Sequence, residues 1–473
     1  MAKPIKCDVC VIGAGSAGLS VASGAAQLGA RTVLFEKGEM GGDCLNYGCV
    51  PSKALLAAAH AAQATREAGQ FGIGVSPPVI DFAAVMKHVG SVIAAIAPHD
   101  SVERFEKLGV QVVRAQARFT GRAEVSGGDV RVRARKIVIA TGSSAVLPSI
   151  PGIEDVPVLT NETIFSLEER PDHLLVIGGG PIGVEMAQAF RRLGSKVTIF
   201  QSSRLLPRDE AEFVNVLKEK LRAEGIDIVE HARIARITKS DRGIRVTHDG
   251  TGWETAGSHL LVAAGRRPRL DGLQLDRAGV AFTSHGITVD SRLRTTNKRV
   301  YALGDIIGRP QFTHTAGYQA GIFIRNALFR LPAKADYRAL PWVTYSDPEL
   351  AHVGLTDAEA RAKYGASVRA VSADFANNDR AQAERQILGG IKVVVDKRGI
   401  ILGATILGRN AGELIGLWGL AITQQLKLSA LTGVIFPYPT LGEISKATAS
   451  AFYAPKLFSA WPRRLVRLLL WAT

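Results

Sequence analysis

The sequence predicts an α/β fold: two Rossmann-like, nucleotide-sized βαβ units followed by a C-terminal α+β domain. Two observations predict it. An apolar strand, a glycine turn and a small-residue helix follow one another at CDVCVIGAGSAGLSVASGAAQLGARTVLFEK and again at LLVIGGGPIGVEMAQAFRRLGSKVTIFQSS. From about Tyr345 strands and helices alternate in a further domain.

Between the two units, ARKIVIATGSSAVLPSIPGIEDV passes from an apolar strand into a Gly/Pro-rich crossing, which puts a boundary near Ser149. HLLVAAGRRPRL closes the second unit near Pro268, and VYALGDI, Val300 to Ile306, reads as a return to the first domain. The expected organisation is therefore 1–149, then 150–268, a return to the first domain over 269–344, a third domain over 345–455 and a basic, apolar tail over 456–473.

A chain of 473 residues with 47% hydrophobic and 21% charged residues can bury a core without disulfide staples, and four cysteines do not make a secreted framework. The net charge of +15 raises nucleic acid as a partner, but the basic residues are scattered and no RNP motif or Cys/His finger accompanies them, so none is expected. The N-terminal lysines and apolar run imitate a signal peptide; that run is better explained as the first strand of the first unit. No other run of 18 apolar residues with few charges is expected to span a membrane, and a cytoplasmic protein is anticipated.

In the first glycine turn, Gly13 permits the tight bend, Gly15 the close approach of a pyrophosphate and Gly18 the packing of helix on strand. The helix N-terminus attracts phosphate charge, and Glu36, at the end of the next strand, is placed to accept from ribose hydroxyls. Cys7 and Cys10 lie three apart in a strand, on opposite faces, and are expected in the core.

GGDCLNYGCVPSK holds the other two cysteines, Cys44 and Cys49. A metal site would need further ligands, and no Cys/His pair supplies them. A structural bridge would gain only about 2 kcal/mol from so small a ring. It would also oblige Asn46, Tyr47 and Gly48 to distort the turn, and strained, accessible bridges are easily reduced. A redox disulfide is the reading these residues favour.

With these motifs in order, the sequence resembles the class I pyridine nucleotide–disulfide oxidoreductases, the flavoprotein disulfide reductases that include dihydrolipoamide dehydrogenase, glutathione reductase and mercuric reductase. GGDCLNYGCVPSK resembles their active-site signature; ATGS at 140–143, AAGRRP at 263–268, ALGD at 302–305 and LPWVTYSDPELAHVGLT complete the likeness. The resemblance implies FAD on the first unit. Glu36 and Lys37 would face the adenosine ribose, with Asp305 on the ribityl and diphosphate side. Gly42, Asp43, Ala117, Thr141, Gly142 and Thr313 would lie nearby, with Ala264, Gly265 and Arg266 also among the nucleotide-binding positions. It further implies Cys49 as the thiol facing the flavin, Cys44 as the thiol meeting substrate, and Lys53, paired with Glu185, near the flavin. A homodimer with an active site shared across its interface is implied as well. The activity would carry electrons from NADPH by way of FAD to the Cys44–Cys49 bridge and on to a small acceptor.

Gly178, Gly180 and Gly183 repeat the phosphate turn. There the strand ends in Gln201, where relatives using NADH carry an acid, and Ser202, Ser203 and Arg204 follow. Hydroxyls and a guanidinium welcome a 2′-phosphate that an acid would repel, so NADPH is expected, with NADH as the alternative.

The pattern departs near the C-terminus. Dithiol-reducing relatives carry His-x-His-Pro-Thr and then a glutamate, whereas this chain reads FPYPTLGE. Phe436 stands at the first histidine, Tyr438 at the general base and Glu443 at the orienting acid. A free phenol is ionised about one part in a thousand at pH 7, so rapid dihydrolipoamide or glutathione turnover is not expected. Tyrosine here resembles the mercuric reductase branch. That branch's C-terminal cysteine pair and separate N-terminal metal-binding domain have no counterpart here. The tail WPRRLVRLLLWAT, with Arg463, Arg464 and Arg467, is suited either to an anionic membrane surface or to docking on the protein body. A membrane contact would make a quinone a reasonable acceptor. The remaining alternatives are an NAD-dependent dihydrolipoamide dehydrogenase and a catalytically idle flavoprotein. No metal site is expected.

Overall fold

The computed structural model describes residues 3–241, 243–250 and 252–472; the final residue of the expected tail, Thr473, and the first two of the N-terminal domain lie outside them. Two compact units divide the chain. One comprises the described residues of Met1–Gly179, Met186–Ser202 and His231–Ala335; the other comprises those of Gly180–Glu185, Ser203–Glu230 and Asp336–Thr473.

In the first unit, strand Ile5–Ile12 runs parallel to Thr32–Glu36 on one side and to Val130–Ile139 on the other. Val110–Arg114 extends the sheet beyond Thr32–Glu36, and Val300–Ala302 comes back from far along the chain to pair with Val130–Ile139. These strands read as apolar runs because both faces of a parallel sheet are covered. Cys7 and Cys10 are buried among them, next to Phe35, Ile137 and Ile139. Helices Ser16–Gln27 and Thr313–Ala327 share a core of Ala17, Ala22, Ala25, Ala316, Ala320 and Phe323, whose alanines let the two backbones approach closely. A second parallel arrangement sets His173–Ile177 between Lys196–Phe200 and His259–Val262, with Val158–Leu159 at its edge. Ser143–Ala145 pairs antiparallel with Arg266–Pro268, and this ribbon brings two distant sequence motifs side by side.

The second unit is built on a five-stranded antiparallel sheet in which Glu349–Gly354 and Ile401–Gly408 are inner strands, with Pro341–Thr344 at one edge and Arg369–Asp374 at the other. Its core gathers Phe375, Ile391, Ile406, Trp418 and Ile444, contributed by the sheet and by helices Ala411–Thr423 and Glu443–Leu457.

One stretch bears on the expectation that no further run spans a membrane. Phe82–Lys107 is long and apolar enough, by length and composition, to cross a membrane. Its conformation is not one helix: Phe82–Ile96 gives way to a 3₁₀ turn, Ala97–Asp100, containing Pro98, and Ser101 caps a new helix, Val102–Lys107. The 15-residue first helix is about 22 Å long, short of the roughly 30 Å hydrocarbon core.

Candidate active site

The first glycine turn explains itself by what a side chain would strike. Gly13 has φ +103°, and a Cβ there would lie 2.4 Å from the Ala140 carbonyl oxygen. At Gly18 it would lie 1.8 Å from the Gly13 oxygen, so this residue seats the helix on its own turn. Gly15 is different: the nearest atom to its added Cβ is the Gly42 Cα at 3.9 Å, which leaves room beside the uncapped helix N-terminus. Glu36 accepts from the backbone N–H of Ala14 at 2.6 Å through one oxygen and of Gly38 at 2.7 Å through the other. Lys37 is exposed and Ala117 is buried beyond the next strand.

The cysteine motif forms a short helix, Gly42–Asn46, a bend at Tyr47 and Gly48, and a long helix, Cys49–Glu67. Asn46 fixes the bend by donating from Nδ2 to the carbonyls of Met40 and Gly42. Gly48 leaves its added Cβ only 3.0 Å from the Asp43 backbone oxygen, a closeness few side chains tolerate. Cys44 and Cys49 are both thiols. Cys44 is held well above the ordinary thiol range, first because it is hydrogen-bonded to Cys49 and then because it is partly buried. Cys49 opens a 19-residue helix, where the dipole favours negative charge, and its Sγ lies 3.6 Å from Thr313 Oγ1. These surroundings disfavour loss of the Cys44 proton. Lys53 follows Cys49 by four residues, one turn along the same helix face.

Behind this motif runs a polar network. Arg266 Nη2 meets Asp43 Oδ1 at 2.9 Å, and Arg266 Nε donates to Ser143 Oγ at 2.8 Å. Ser143 in turn donates to Asp305 Oδ2 at 2.5 Å. Asn161 donates to Asp43 Oδ1 at 2.9 Å. Burial pushes the Asp305 carboxyl above its usual range, while Ser143 and the Arg266 charge oppose the shift. Thr141 hydrogen-bonds the Arg269 carbonyl, and Gly142 and Gly265, with φ +70° and +131°, keep open space where a Cβ would stand; Ala264 precedes the latter. Sequence reasoning gave no role to Ser143, although ATGS contains it, and had no signal for Asn161.

At the second turn, Gly178 repeats Gly13: its φ is +114° and its added Cβ would lie 2.4 Å from the Ala263 carbonyl oxygen. Nothing lies within 4 Å of an added Cβ at Gly180, and Gly183 is buried in helix Pro181–Arg192. Gln201 Oε1 accepts from the Gly179 N–H at 2.7 Å, in the manner of Glu36. Ser202 is exposed and Ser203 half-buried. Arg204, expected to face a 2′-phosphate, turns onto its own loop: its guanidinium donates to the carbonyls of Leu206, Pro207 and Asp209, the last two at 2.7 Å. An arginine followed by a leucine–proline bend finds these carbonyls within a few residues, and spacing alone does not reveal it.

In the second unit, Glu185 is buried and accepts from the Tyr345 N–H at 3.0 Å. Tyr438 is 71% exposed and donates its phenolic O–H to Asp379 Oδ2 at 2.8 Å. Asp379 therefore holds the phenol above its usual range, and Glu443 adds to that effect only by its charge. Glu443 instead accepts from the Thr440 N–H at 3.2 Å and heads helix Glu443–Leu457. The expected tyrosine–glutamate pair is thus replaced by Tyr438–Asp379, a partner 59 residues away that the motif does not announce.

Residues 7–320 match the family described as pyridine nucleotide-disulphide oxidoreductase, and residues 340–449 match its dimerisation domain. The chain belongs to the pyridine nucleotide–disulfide oxidoreductases. This oxidoreductase is 36% identical over 455 residues to a mercuric reductase of Streptomyces lividans, spanning 94% of this chain and 96% of that one. It is 35% identical over 457 residues to a dihydrolipoyl dehydrogenase of Geobacillus stearothermophilus, spanning 94% and 96%. Among solved structures, a Cu(II) complex of the HOCl-induced flavoprotein disulfide reductase RclA from Escherichia coli matches with a TM-score of 0.85 at 30% identity, covering 94% of this chain and 99% of that one. The dimerisation domain supports a homodimer. The family is FAD-dependent and uses NAD(P)H, and the residues present fit FAD: the open face at Gly15, the bare helix N-terminus and the half-buried Asp305 suit a pyrophosphate and a polyol.

Proposed function

We propose that this oxidoreductase takes electrons from NAD(P)H, with NADPH preferred, and passes them by way of the Cys44–Cys49 pair to a small acceptor that needs no proton from the protein. A soft, thiol-binding metal ion such as Hg(II) or Cu(II) is the class that fits. Tyr438 carries this reading: a phenol that donates to Asp379 is a poor base and a poor acid near pH 7, which handicaps dithiols and disulfides but not a metal ion. The names of the relatives, one a mercuric reductase and one solved with Cu(II), agree in class.

FAD, when bound, supplies the two-electron relay between nicotinamide and sulfur. The protein's own part is to keep a proton on Cys44, to favour negative charge on Cys49 and to hold Asp43 and Asp305 in register through Arg266 and Ser143. Closing the bridge from a Cys44 thiol and a Cys49 thiolate releases two electrons and one proton; one Hg(II) or two Cu(II) accept the electrons, and solvent accepts the proton. The neutral Gln201 supports NADPH. The half-buried to exposed thiols suit a cytoplasmic, reducing compartment.

An anaerobic panel of Cu(II), Hg(II), lipoamide, glutathione disulfide and a quinone, each with NADPH and NADH, tests the reading. Metal ions should turn over at least tenfold faster than either disulfide, and Cys44→Ser should abolish the difference. Fastest turnover of lipoamide with NADH would instead make the protein a dihydrolipoamide dehydrogenase. Equal rates in the wild type and Cys44→Ser would leave an idle flavoprotein.

A further inference from the structure

The last helix, Ala460–Trp471, has no role in the chemistry above and lies outside the residues matched by either family domain. None of its residues is buried. At about 100° per residue, Arg463, Arg464 and Arg467 fall within an arc of roughly 100°. Trp461, Pro462, Leu465, Val466, Leu468 and Leu469 occupy the opposite half of the wheel, while Leu470 falls at the edge of the arginine arc and Trp471 within it. This apolar face is open to solvent: Trp461 is 72% exposed, Leu468 66% and Leu469 58%. Leu457 and Phe458, exposed at the end of the preceding helix, extend it.

We propose that this helix docks the oxidoreductase on an anionic phospholipid surface, lying in the interface plane with its leucines among the acyl chains and its arginines at the headgroups. Charge complementarity selects lipid over a second copy of the chain. From Ile444 to the end the sequence holds Lys446, Lys456 and the three arginines but no acidic residue, so two copies of the tail would repel one another. Trp461 and Trp471 at the two ends are the side chains that prefer the water–hydrocarbon boundary. Twelve residues are too few to cross a bilayer, and an isolated helix of that length is marginal in water, so adsorption to lipid would also consolidate the helix. The inference stands apart from the choice of acceptor, since it concerns residues that the proposed chemistry does not use.

Co-sedimentation of the full-length, flavin-loaded protein with vesicles tests it. Vesicles of phosphatidylcholine with 30% phosphatidylglycerol should bring the protein down, and vesicles of pure phosphatidylcholine should bring down at least tenfold less. The triple variant Arg463→Gln, Arg464→Gln, Arg467→Gln should bind on the order of 100-fold more weakly, as about 5-fold per basic residue implies. Deleting residues 460–473 should abolish binding while leaving NAD(P)H oxidation unchanged. Tryptophan emission should shift to the blue on anionic vesicles in the wild type and not in the deletion. Failure of the wild type to sediment, equal binding to both vesicle types, or unchanged binding by the deletion overturns the proposal; so does a deletion that alters only the oligomeric state.

Discussion

Replacing Tyr438 by histidine should turn the protein toward dithiol chemistry. In the wild type the phenol donates to Asp379 at 2.8 Å, and that carboxylate keeps the proton on the oxygen beyond the usual phenol range. Even an unshifted phenol offers about one part in a thousand of base at pH 7, whereas an imidazole of ordinary pKa is about three-quarters neutral. The ratio of competent base is on the order of 10³, within the roughly 10²–10⁴-fold that general-base catalysis contributes. Tyr438→His should therefore raise NAD(P)⁺ reduction by dihydrolipoamide about 100-fold at pH 7, followed at 340 nm. Asp379→Asn supplies the matched control. Removing the carboxylate lowers the phenol toward its ordinary value, so the alkaline rise in the dithiol rate should begin at lower pH, with less than about a tenfold gain at pH 7. An unchanged rate in Tyr438→His, or a wild type already as fast as that variant, would refute the argument that this phenol limits dithiol turnover.

Three further outcomes are expected. Gln201→Glu should raise KM for NADPH at least tenfold and leave KM for NADH within about twofold, because two unit charges about 5 Å apart repel by roughly 3 kcal/mol at an effective dielectric of 20; Arg204→Ala should instead lower thermal stability as its loop carbonyls lose their donors, with a smaller change in KM. Gly13→Ala should cost about 1–3 kcal/mol from its left-handed backbone alone and release flavin, read as lost absorbance after gel filtration. Lys392 is half-buried between Glu210 and the exposed Glu212; burial pulls its pKa down, but the hydrogen bond and charge of Glu210 prevail and leave it raised. Its contribution is complete below the unfolded lysine value near 10.4 and declines as pH rises through the raised folded value. Lys392→Met should therefore lower the stability, read as melting temperature at pH 7, by roughly 1.5–3 kcal/mol, the worth of a hydrogen bond to a charged group, with the difference from wild type narrowing only above about pH 10.5.

What the sequence could reveal was local. The glycine turns and the cysteine motif compress strand, bend and helix into a few dozen residues, and their spacing constrains the backbone directly. Arg266 and Ser143, 123 residues apart in sequence, meet because the ribbon of Ser143–Ala145 and Arg266–Pro268 joins them, and Asp305, 162 residues from Ser143, joins the relay because Val300–Ala302 returns to pair with Val130–Ile139. Asp379 was hidden for the same reason. Arg204 was visible as a charge but not as a direction, since a guanidinium with loop carbonyls three to five residues ahead satisfies them first. Phe82–Lys107 shows the converse: composition alone imitates a membrane span, and Pro98 with the Ser101 cap breaks it.

The two nucleotide turns carry one further step of argument. Glu36 accepts from Ala14 and Gln201 accepts from Gly179, each across 22 residues and with nearly the same geometry, so the contact that shapes the turn is indifferent to charge. An amide oxygen can close the second turn as well as a carboxylate closes the first. The charge at that position is therefore free to vary with the ligand rather than with the fold. On the proposed NADPH reading, selectivity rests on the carboxylate missing at Gln201, not on a guanidinium supplied by Arg204. Losing a repulsion admits a 2′-phosphate without excluding a 2′-hydroxyl, which predicts turnover of NADPH together with measurable turnover of NADH.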